Sequence, residues 1–526
     1  MKKIILLFIL IQTLIFVENV SAQTFLRTYS GTPNDYVDRA YFMQQTSDSG
    51  FIVAGSTGNF FNNINGMYLV KSNAYGSTEW QAAYGGSASN DFCYTAQQTS
   101  DGGYILAGTI ETFGGVRDIS LLKTNSAGAI SWSKVYSTTS DDVGYCVQQT
   151  TDGGYIIGGW TAGAGAGGTD FILIKTNSSG DTTWSRTFGG QFNELCYCVR
   201  QTTDGGYLAV GSTESFGAGS KDVYLVKVTS TGNYSWSMTY GVGGGDDWGN
   251  KVIQNSDGDY VIVGFTYGVA AERNALLIVT DGSGGLIWAR SYGVNNWDEG
   301  YDVKQLASGE YILTGITDGY GAGTDRDAFL IKTNSGGQLL WARGMGGGGV
   351  EEGHSVAILG NGYALAGWSN SFSTSYHDVI LFRTDLSGMV GCNDTLLALP
   401  DSSITLSSSM ATTLINAGGI EVAAGTLLSG NGGMENYICS TGPNANDVLQ
   451  ENFSVYPNPV SSSLTVSTNI KINCAISIID LLGREMWSVN SAKEITEVDV
   501  SSFPKGVYFL NIISGEKILI QKILVY

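Results

Sequence analysis

Short apolar and alternating runs, four to a repeat, follow one another along most of the chain. In one copy of the repeat they cover residues 145–150, 155–160, 171–175 and 183–188. The first two runs are joined by Thr-Asp-Gly-Gly at 151–154, where Asp-Gly supplies the positive φ angles of a tight hairpin. Because the runs are short and no helical period accompanies them, the pattern predicts four antiparallel strands in each repeat.

Aromatic residues mark the repeat. Six tryptophans are separated by 52, 52, 52, 52 and 53 residues: Trp80, Trp132, Trp184, Trp236, Trp288 and Trp341. A second marker occurs seven times, mostly after Asp-Gly-Gly or a close variant: Phe51, Tyr104, Tyr155, Tyr207, Tyr260, Tyr311 and Tyr363. Four strands in a period of about 52 residues are typical of a β-propeller blade, and the tryptophans are expected to pack in its core.

The last repeat lacks its Trp strand, and a matching segment stands near the beginning of the chain. Residues 25–31 (Phe-Leu-Arg-Thr-Tyr-Ser-Gly) match residues 184–190, with Phe25 in the place of Trp184. Pairing this segment with the last repeat removes an unpaired sheet edge. We therefore predict an all-β fold with a seven-bladed β-propeller over residues 23–391, closed by the amino-terminal strand.

An acidic residue stands at the entry to each predicted innermost strand. The seven are Asp38, Asp91, Asp142, Glu194, Asp247, Asp298 and Glu351. Two roles are open for them. Such carboxylates accept backbone N–H bonds in turns, and a ring of them around a channel mouth is suited to binding Ca²⁺ or a cationic ligand. No other cofactor is indicated.

Aromatic residues also recur in the Gly-rich loops after the second strand: Phe60, Phe113, Phe216, Tyr267, Tyr320 and Phe372. Beside carboxylates such rings stack on sugars, and the alternative is that they pack between blades. Charged residues at the two ends of the third strand are expected to be solvated: Asp118, Asp170, Asp222, Asp327 and Asp378 at its start, and Lys71, Lys123, Lys175, Lys227 and Lys332 at its end.

The net charge and the first residues of the chain indicate which partners and which location to expect. The chain has 27 Lys and Arg against 47 Asp and Glu, a net charge of −20, so nucleic acid is not an expected partner. Residues 1–22 have the pattern of a secretory signal peptide: Lys2 and Lys3, an apolar run at 4–17, then small residues. No apolar run is long enough for a transmembrane segment.

Seven cysteines, an odd number, leave at least one thiol free in an exported chain. Cys392 and Cys439 are the best candidate disulfide, within a segment at 392–447 that is either a small strand-rich connector or a disordered linker. Four others fall in one repeated strand and are expected to be buried apolar side chains: Cys93, Cys146, Cys196 and Cys198. With only His354 and His377, a His-based metal site is not indicated.

Three motifs stand in order near the end of the chain. They are Tyr456-Pro457-Asn458-Pro459, Asp480 to Arg484 with Gly483 between them, and Gly506-Val507-Tyr508-Phe509-Leu510. With them, residues 448–526 resemble the type A C-terminal sorting domain of the type IX secretion system. The resemblance implies an immunoglobulin-like β-sandwich that the secretion machinery recognises. It also implies export through the periplasm of a Bacteroidota-type bacterium, for release or display at the outer-membrane surface.

These features favour a secreted or surface-located binding or adhesion module without catalysis, with a glycan or a protein as its ligand. A carbohydrate-active propeller enzyme, a glycosidase or lyase, is the first alternative. Hydrolysis of that kind uses two unlike carboxylates at one place, whereas the acids here repeat evenly. A structural component of the cell surface is the second alternative.

Overall fold

The computed structural model describes most of residues 24–525. The residues outside the description are 1–23, 31–36, 62–63, 87–89, 112–114, 268–272, 294–296, 319–325, 373–375, 398–400, 404–406, 411–413, 418–419, 424–427, 432–433, 441–452, 457–459, 469–473, 481–483, 492–494, 515–516 and 526. The protein is all-β, and no helix occurs in the described part. Two compact units divide the chain after the signal segment, Gln23–Thr441 and Gly442–Tyr526. The predicted signal peptide lies outside the described residues.

The repeats form seven sheets with four repeat strands each, numbered here in chain order. Sheet 1 contains β2 Asp38–Gln45, β3 Phe51–Phe61, β4 Ile64–Ser72 and β5 Thr78–Gly85. Sheet 2 contains β6 Phe92–Gln98, β7 Tyr104–Glu111, β8 Arg117–Thr124 and β9 Ile130–Ser137. Sheet 3 contains β10 Asp142–Gln149, β11 Tyr155–Thr161, β12 Asp170–Thr176 and β13 Thr182–Gly189. Sheet 4 contains β14 Glu194–Gln201, β15 Tyr207–Thr213, β16 Asp222–Val228 and β17 Tyr234–Gly241.

The remaining repeats continue the pattern. Sheet 5 contains β18 Asp247–Gln254, β19 Tyr260–Tyr267, β20 Arg273–Thr280 and β21 Leu286–Tyr292. Sheet 6 contains β22 Asp298–Gln305, β23 Tyr311–Asp318, β24 Arg326–Thr333 and β25 Leu339–Met345. Sheet 7 contains β26 Glu351–Leu359, β27 Gly362–Ser369, β28 Asp378–Thr384 and, from the beginning of the chain, β1 Phe25–Ser30. The first repeat strand of each sheet is called its inner strand below. The seven inner strands are β2, β6, β10, β14, β18, β22 and β26.

Strand β1 joins the last repeat, as the sequence predicts. It pairs antiparallel with β28, with Thr28 opposite Ile380. All six of its residues are buried. The edge of β28 is therefore paired with a strand from the other end of the unit.

Seven further short strands add a fifth strand to every sheet. They are β29 Asp394–Leu396, β30 Asp401–Ser403, β31 Ser407–Met410, β32 Leu414–Ala417, β33 Ile420–Ala423, β34 Leu428–Asn431 and β35 Met434–Ser440. They pair in turn with sheets 6, 5, 4, 3, 2, 1 and 7. Because each fourth strand otherwise presents a free edge, the added strands satisfy its backbone groups. The described strands between Asp394 and Ser440 thus belong to the seven sheets, where a separate connector over 392–447 was expected.

Neighbouring sheets are joined by an aromatic ring that lies over a glycine. In sheet 2 the ring of Trp132 covers Gly180 of sheet 3, and a Cβ at Gly180, which has φ of 81°, would lie 2.8 Å from it. Trp132 also lies 5.9 Å from the Tyr155 ring. Phe25 of sheet 7 covers Gly76 of sheet 1 in the same way. The predicted replacement of Trp by Phe therefore serves the same contact.

Four of the five lysines that end the third strands are buried and Lys332 is half-buried, which corrects the expectation that they are solvated. Lys175 is 3 % exposed, and its Nζ lies 2.8 Å from a carboxylate oxygen of Asp152 in the Asp-Gly-Gly turn. It also donates to the carbonyl of Thr176 at 2.8 Å. Although partial burial raises the pKa of Asp152, its hydrogen bonds from Lys175 and Thr150 lower it to about 2. The repeated lysine therefore fastens the turn to the third strand.

The cysteines follow the prediction where they are described. Cys93, Cys146, Cys196 and Cys198 are free and buried. Cys392 is disulfide-bonded. Since the side chain of Cys439 lies outside the described residues, its pairing with Cys392 stays a prediction.

The second unit is a two-sheet sandwich. One sheet contains β36 Phe453–Tyr456, β37 Ser463–Thr468 and β40 Ile495–Asp499. The other contains β38 Cys474–Asp480, β39 Glu485–Ser491, β41 Gly506–Ser514 and β42 Lys517–Val525. Both sheets contribute to one buried core, which includes Leu464, Ile476, Val498 and Leu510.

Candidate functional site

The seven carboxylates at the entry to the inner strands are buried in turns. Each is at most 1 % exposed: Asp38, Asp91, Asp142, Glu194, Asp247, Asp298 and Glu351. Glu194 shows the arrangement, because it accepts the backbone N–H of Gly190 at 2.7 Å and the hydroxyl of Thr213 at 2.7 Å. This burial does not fit an exposed cation-binding ring. Within the described ranges, no three His, Cys, Asp or Glu side chains converge on a metal site.

The loop aromatics that are described pack against the sheets. Phe216 is half-buried, and its ring lies 5.7 Å from that of Tyr224. Phe372 packs against the core that sheets 6 and 7 share. The Tyr267 hydroxyl accepts a hydrogen bond from Arg273 at 2.9 Å. The side chains of Phe60, Phe113 and Tyr320 lie outside the described residues. Packing, the alternative left open by the sequence, accounts for the described members.

A different set of aromatics meets at the inner strands. The register of every inner strand shifts three residues after its entry acid, and the residue at that position is passed over in the pairing. Such a bulge re-aims the side chain. Five of the seven residues at this position are tyrosines, and the full set is Tyr41, Tyr94, Tyr145, Tyr197, Asn250, Tyr301 and His354. We call it the inner belt.

The rings of the inner belt contact one another from sheet to sheet. Centroids are 5.5 Å apart for Tyr41 and Tyr94, 4.7 Å for Tyr94 and Tyr145, and 5.1 Å for Tyr145 and Tyr197. His354 of sheet 7 lies 5.4 Å from Tyr41 of sheet 1 and stacks on Tyr301 at 4.6 Å. Burial raises the pKa of Tyr94, Tyr145 and Tyr301, so these phenols are neutral at physiological pH.

The inner belt lines a cavity of about 370 Å³. Trp248 and Phe265 extend its aromatic wall, and their rings stack 5.5 Å apart. A few polar groups stand among the rings: Asn250, Lys251, Arg273 and Glu299. Apolar walls with a small number of oriented polar groups are the usual make-up of a ligand pocket of this size.

One ion pair stands at the wall of the cavity. The Arg273 guanidinium pairs with Glu299, which is 7 % exposed on its side chain and also accepts the Tyr301 hydroxyl at 2.8 Å. The guanidinium lies 3.9 Å from the centre of the Trp297 ring and 4.2 Å from that of Phe265. The cation is therefore held in place by rings on two sides and by a carboxylate.

Glutamines fix the spacing of the inner strands around this cavity. The backbone N–H of Gln149 donates to the side-chain oxygen of Gln97 at 2.7 Å, and that of Gln201 donates to Gln148 at 2.7 Å. Each bond joins one sheet to the next. This role was not predicted from the sequence, although Gln-Gln recurs at the end of several inner strands.

Carboxyl groups of neighbouring sheets also meet in pairs. Asp170, at the start of β12, is 1 % exposed and lies near Glu194 of sheet 4. Both carboxyl groups adjoin Gly189, since a Cβ atom placed there would lie 2.0 Å from Asp170 Oδ1 and 2.5 Å from Glu194 Oε2. Burial, and next the charge of Glu194, raise the pKa of Asp170 to about 6 against the hydrogen bonds it accepts. Burial likewise raises the pKa of Asp247, beside Asp222, to about 7. The expectation that the acids at the start of the third strands are solvated is therefore wrong, since each is at most 5 % exposed: Asp118, Asp170, Asp222, Asp327 and Asp378.

This pairing predicts that stability falls as the pH rises. The pKa of Asp170 is raised above its unfolded value of 3.8, so its favourable contribution is complete below about pH 4 and is lost as pH rises through about 6. The shift corresponds to roughly 3 kcal/mol. We expect Asp170→Asn to raise the melting temperature at pH 8 and to change it little at pH 4. The natural sequence has such an amide in sheet 5, where Asn274 lies beside Asp298 as Asp170 lies beside Glu194.

Asp152→Asn is the control, measured by thermal denaturation of the full chain. Its pKa is lowered, so its stabilising charge is present above pH 4 and the variant is less stable at pH 8. An equal effect of Asp170→Asn at pH 4 and pH 8 contradicts the raised pKa.

The second unit carries the three terminal motifs in its strands and turns. Asp480 and Arg484 close the hairpin between β38 and β39, with Arg484 Nε donating to Asp480 Oδ2 at 2.7 Å. The Tyr508 side chain is 4 % exposed, and its hydroxyl donates to the Pro504 carbonyl at 2.7 Å. Residues 457–459 and Gly483 lie outside the described residues. The described motif residues therefore maintain the sandwich.

The family model for the secretion system C-terminal sorting domain matches residues 454–526. The chain ends in a type IX secretion sorting domain. The sorting domain directs export to the cell surface or release from the cell. It also implies recognition by the type IX secretion machinery. In the described residues, no helix has the length and apolar character needed to span a lipid bilayer.

No curated protein matches the sequence. Among solved structures, Sqt1 from Chaetomium thermophilum is 11% identical, with 70% of this chain and 85% of that chain covered and a TM-score of 0.39. PorZ, a surface component of the type IX secretion system of Porphyromonas gingivalis, is 10% identical over 96% and 99%, with a TM-score of 0.17. At these TM-scores the similarities carry no argument about function.

Proposed function

We propose that residues 23–441 form a closed seven-bladed β-propeller that binds a ligand at the cell surface. The signal peptide at 1–22 would bring the chain to the periplasm, and the sorting domain would then pass it across the outer membrane. The proposal of binding rests on the aromatic contacts that line most of the cavity, from Tyr301 through His354 and four further inner-belt tyrosines to Trp248.

Closure is supported by contacts between sheets 7 and 1 that repeat those between consecutive sheets. The backbone N–H of Asp38 donates to the carbonyl of His377 at 2.9 Å, as that of Glu194 donates to Thr169 at 2.7 Å. The Tyr29 hydroxyl donates to the carbonyl of Gly76 at 2.5 Å, as that of Tyr84 donates to Gly128 at 2.6 Å. Equivalent contacts at every junction are what a ring requires.

The cavity suits a glycan. Neutral tyrosine rings and Trp248 offer flat apolar faces for a sugar ring, while Asn250, Arg273 and Glu299 offer donors and acceptors for hydroxyls. The cavity, and not the Gly-rich loops with their aromatic residues, is therefore the proposed binding site.

The arrangement favours binding over hydrolysis. Of the described residues that line the cavity, Glu299 is the one carboxylate, and it is paired with Arg273. A glycosidase of the usual kind needs two carboxyl groups flanking the bond that is broken. A carbohydrate-active enzyme is the alternative function, and polysaccharide turnover that Glu299→Gln abolishes would establish it.

A glycan array with the full chain, followed by titration calorimetry of any hit, tests the proposal. We expect Tyr145→Ala and Tyr197→Ala each to weaken binding by about 10-fold, since stacking on one ring contributes about 1 kcal/mol beyond the buried area. Phe192→Ala is the matched control, because Phe192 is 57 % exposed and does not line the cavity. A blank array, or a hit that neither tyrosine variant weakens, contradicts the proposal.

A further inference from the structure

Two cysteines occupy the same position in neighbouring inner strands. Cys146 of β10 and Cys198 of β14 each follow the inner-belt tyrosine of their strand. Their sulfur atoms are 3.9 Å apart, although both thiols are free. Other sheets have different residues at this position, including Lys251 and Asp302. The thiol pair is thus confined to the junction of sheets 3 and 4.

Positive charge surrounds the pair. Arg200 Nη1 lies 3.7 Å from Cys146 Sγ, and Lys251 stands in the next inner strand. The interaction with Cys198 and the two cations lower the pKa of the Cys146 thiol, although burial opposes this. Nearby cations stabilise a thiolate, which is the nucleophile in thiol–disulfide exchange, and repel a metal cation. The surroundings therefore favour redox chemistry over binding of a soft metal.

The two sulfurs differ in access. Cys146 lines the cavity at 2 % exposure, whereas Cys198 is 0 % exposed and does not line it. A small disulfide that enters the cavity meets Cys146 first. Cys198 then lies behind it as the resolving thiol.

We propose that Cys146 and Cys198 are a redox pair that closes to a disulfide between sheets 3 and 4 in the oxidising exterior. The Cys146 thiolate attacks a low-molecular-weight disulfide, which forms a mixed disulfide and releases one thiol. The Cys198 thiol, whose pKa is raised by burial, loses its proton as its sulfur attacks Cys146 Sγ and displaces the second thiol. Two protein thiols become one disulfide, the oxidant becomes two thiols, and the two cysteine protons end on those thiols.

The consequence is a covalent clamp at the wall of the cavity. It joins two inner strands that glutamine hydrogen bonds already hold together, and it withdraws the Cys146 sulfur from the cavity surface. The wall of the proposed binding site then depends on the redox state outside the cell. The inference does not depend on the identity of the ligand.

Peptide mapping of the full chain after incubation with cystine tests the proposal. We expect a peptide pair linked through Cys146 and Cys198, with a mass lower by two hydrogen atoms than the reduced peptides. The thermal midpoint should rise after oxidation and return on reduction. If both thiols remain open to alkylation after unfolding, or if Cys198 is linked to Cys196 instead, the proposal is overturned.

Two variants separate the roles of the sulfurs. Cys198→Ser should accumulate a Cys146–cysteine mixed disulfide, while Cys146→Ser should form little adduct at Cys198. Cys93 is the internal control in both variants, since it is also buried but lies outside the cavity wall. Adduct formation at Cys93 that equals that at Cys146 contradicts the assigned order of attack.

Discussion

Deletion of residues 24–30 should prevent the repeat unit from folding to its native state. Phe25, Leu26 and Tyr29 are each 0 % exposed, and their burial contributes on the order of 6 kcal/mol at about 2 kcal/mol each. That sum is comparable with the whole stability of many domains. We expect the deleted protein to lose its cooperative melting transition by circular dichroism.

Two substitutions of Phe25 test whether the contact made by its ring accounts for this stabilisation. Phe25→Ala should be strongly destabilised, because the ring that covers Gly76 is removed. Phe25→Trp should keep most of the stability, because the six other sheets carry Trp at this contact. A deletion variant that melts cooperatively near the temperature of the full chain would show that β1 is dispensable.

Removal of residues 454–526 should keep the protein inside the cell envelope. The sorting domain supplies the signal that the secretion machinery recognises, so we expect loss of surface-accessible protein by at least 10-fold, measured by protease shaving and fractionation of the producing bacterium. The truncated chain should collect in the periplasm with an intact melting transition, because residues 23–441 form a separate compact unit.

Point variants refine this result. Tyr508→Ala removes a buried ring from the sandwich core and should reduce export, because removal of a buried aromatic side chain costs about 3 kcal/mol or more. Lys505→Ala, at an exposed position of the same domain, is the control. Equal surface levels for the truncated and full chains would contradict the assignment of the export signal to residues 454–526.

The repeat strands could be predicted because their signals are local. Asp-Gly turns fix the hairpins, and the constant Trp spacing fixes the length of each repeat. The match of residues 25–31 to a Trp strand located β1 correctly, since Phe25 makes the contact with Gly76 that Trp132 makes with Gly180.

The outer strands could not be predicted in the same way. Strands β29 to β34 have three or four residues each and lie in a Ser-rich and Gly-rich segment. Such short strands form where an existing sheet edge offers hydrogen bonds, so their position depends on tertiary structure. The segment therefore suggested a connector.

The cavity was missed although the sequence contains its signal. A tyrosine stands three residues after the entry acid in five repeats, for example Tyr145 after Asp142. The bulge that re-aims this residue is a feature of pairing and has no sequence mark of its own. The buried lysines were misjudged for a related reason, because the partner of Lys175 is an acid from a different hairpin.

An engineered disulfide between β1 and β28 tests the central claim most directly. Thr28 and Ile380 are opposite each other in the pairing, so cysteines placed at both positions have Cβ atoms about 5 Å apart. We predict that mass spectrometry of the Thr28→Cys and Ile380→Cys double variant finds these two cysteines linked. Thr28→Cys with Leu381→Cys should not link, because Leu381 points to the other face of the sheet. Absence of the 28–380 link, with residue 28 bound elsewhere or free, would contradict a ring closed by the amino-terminal strand.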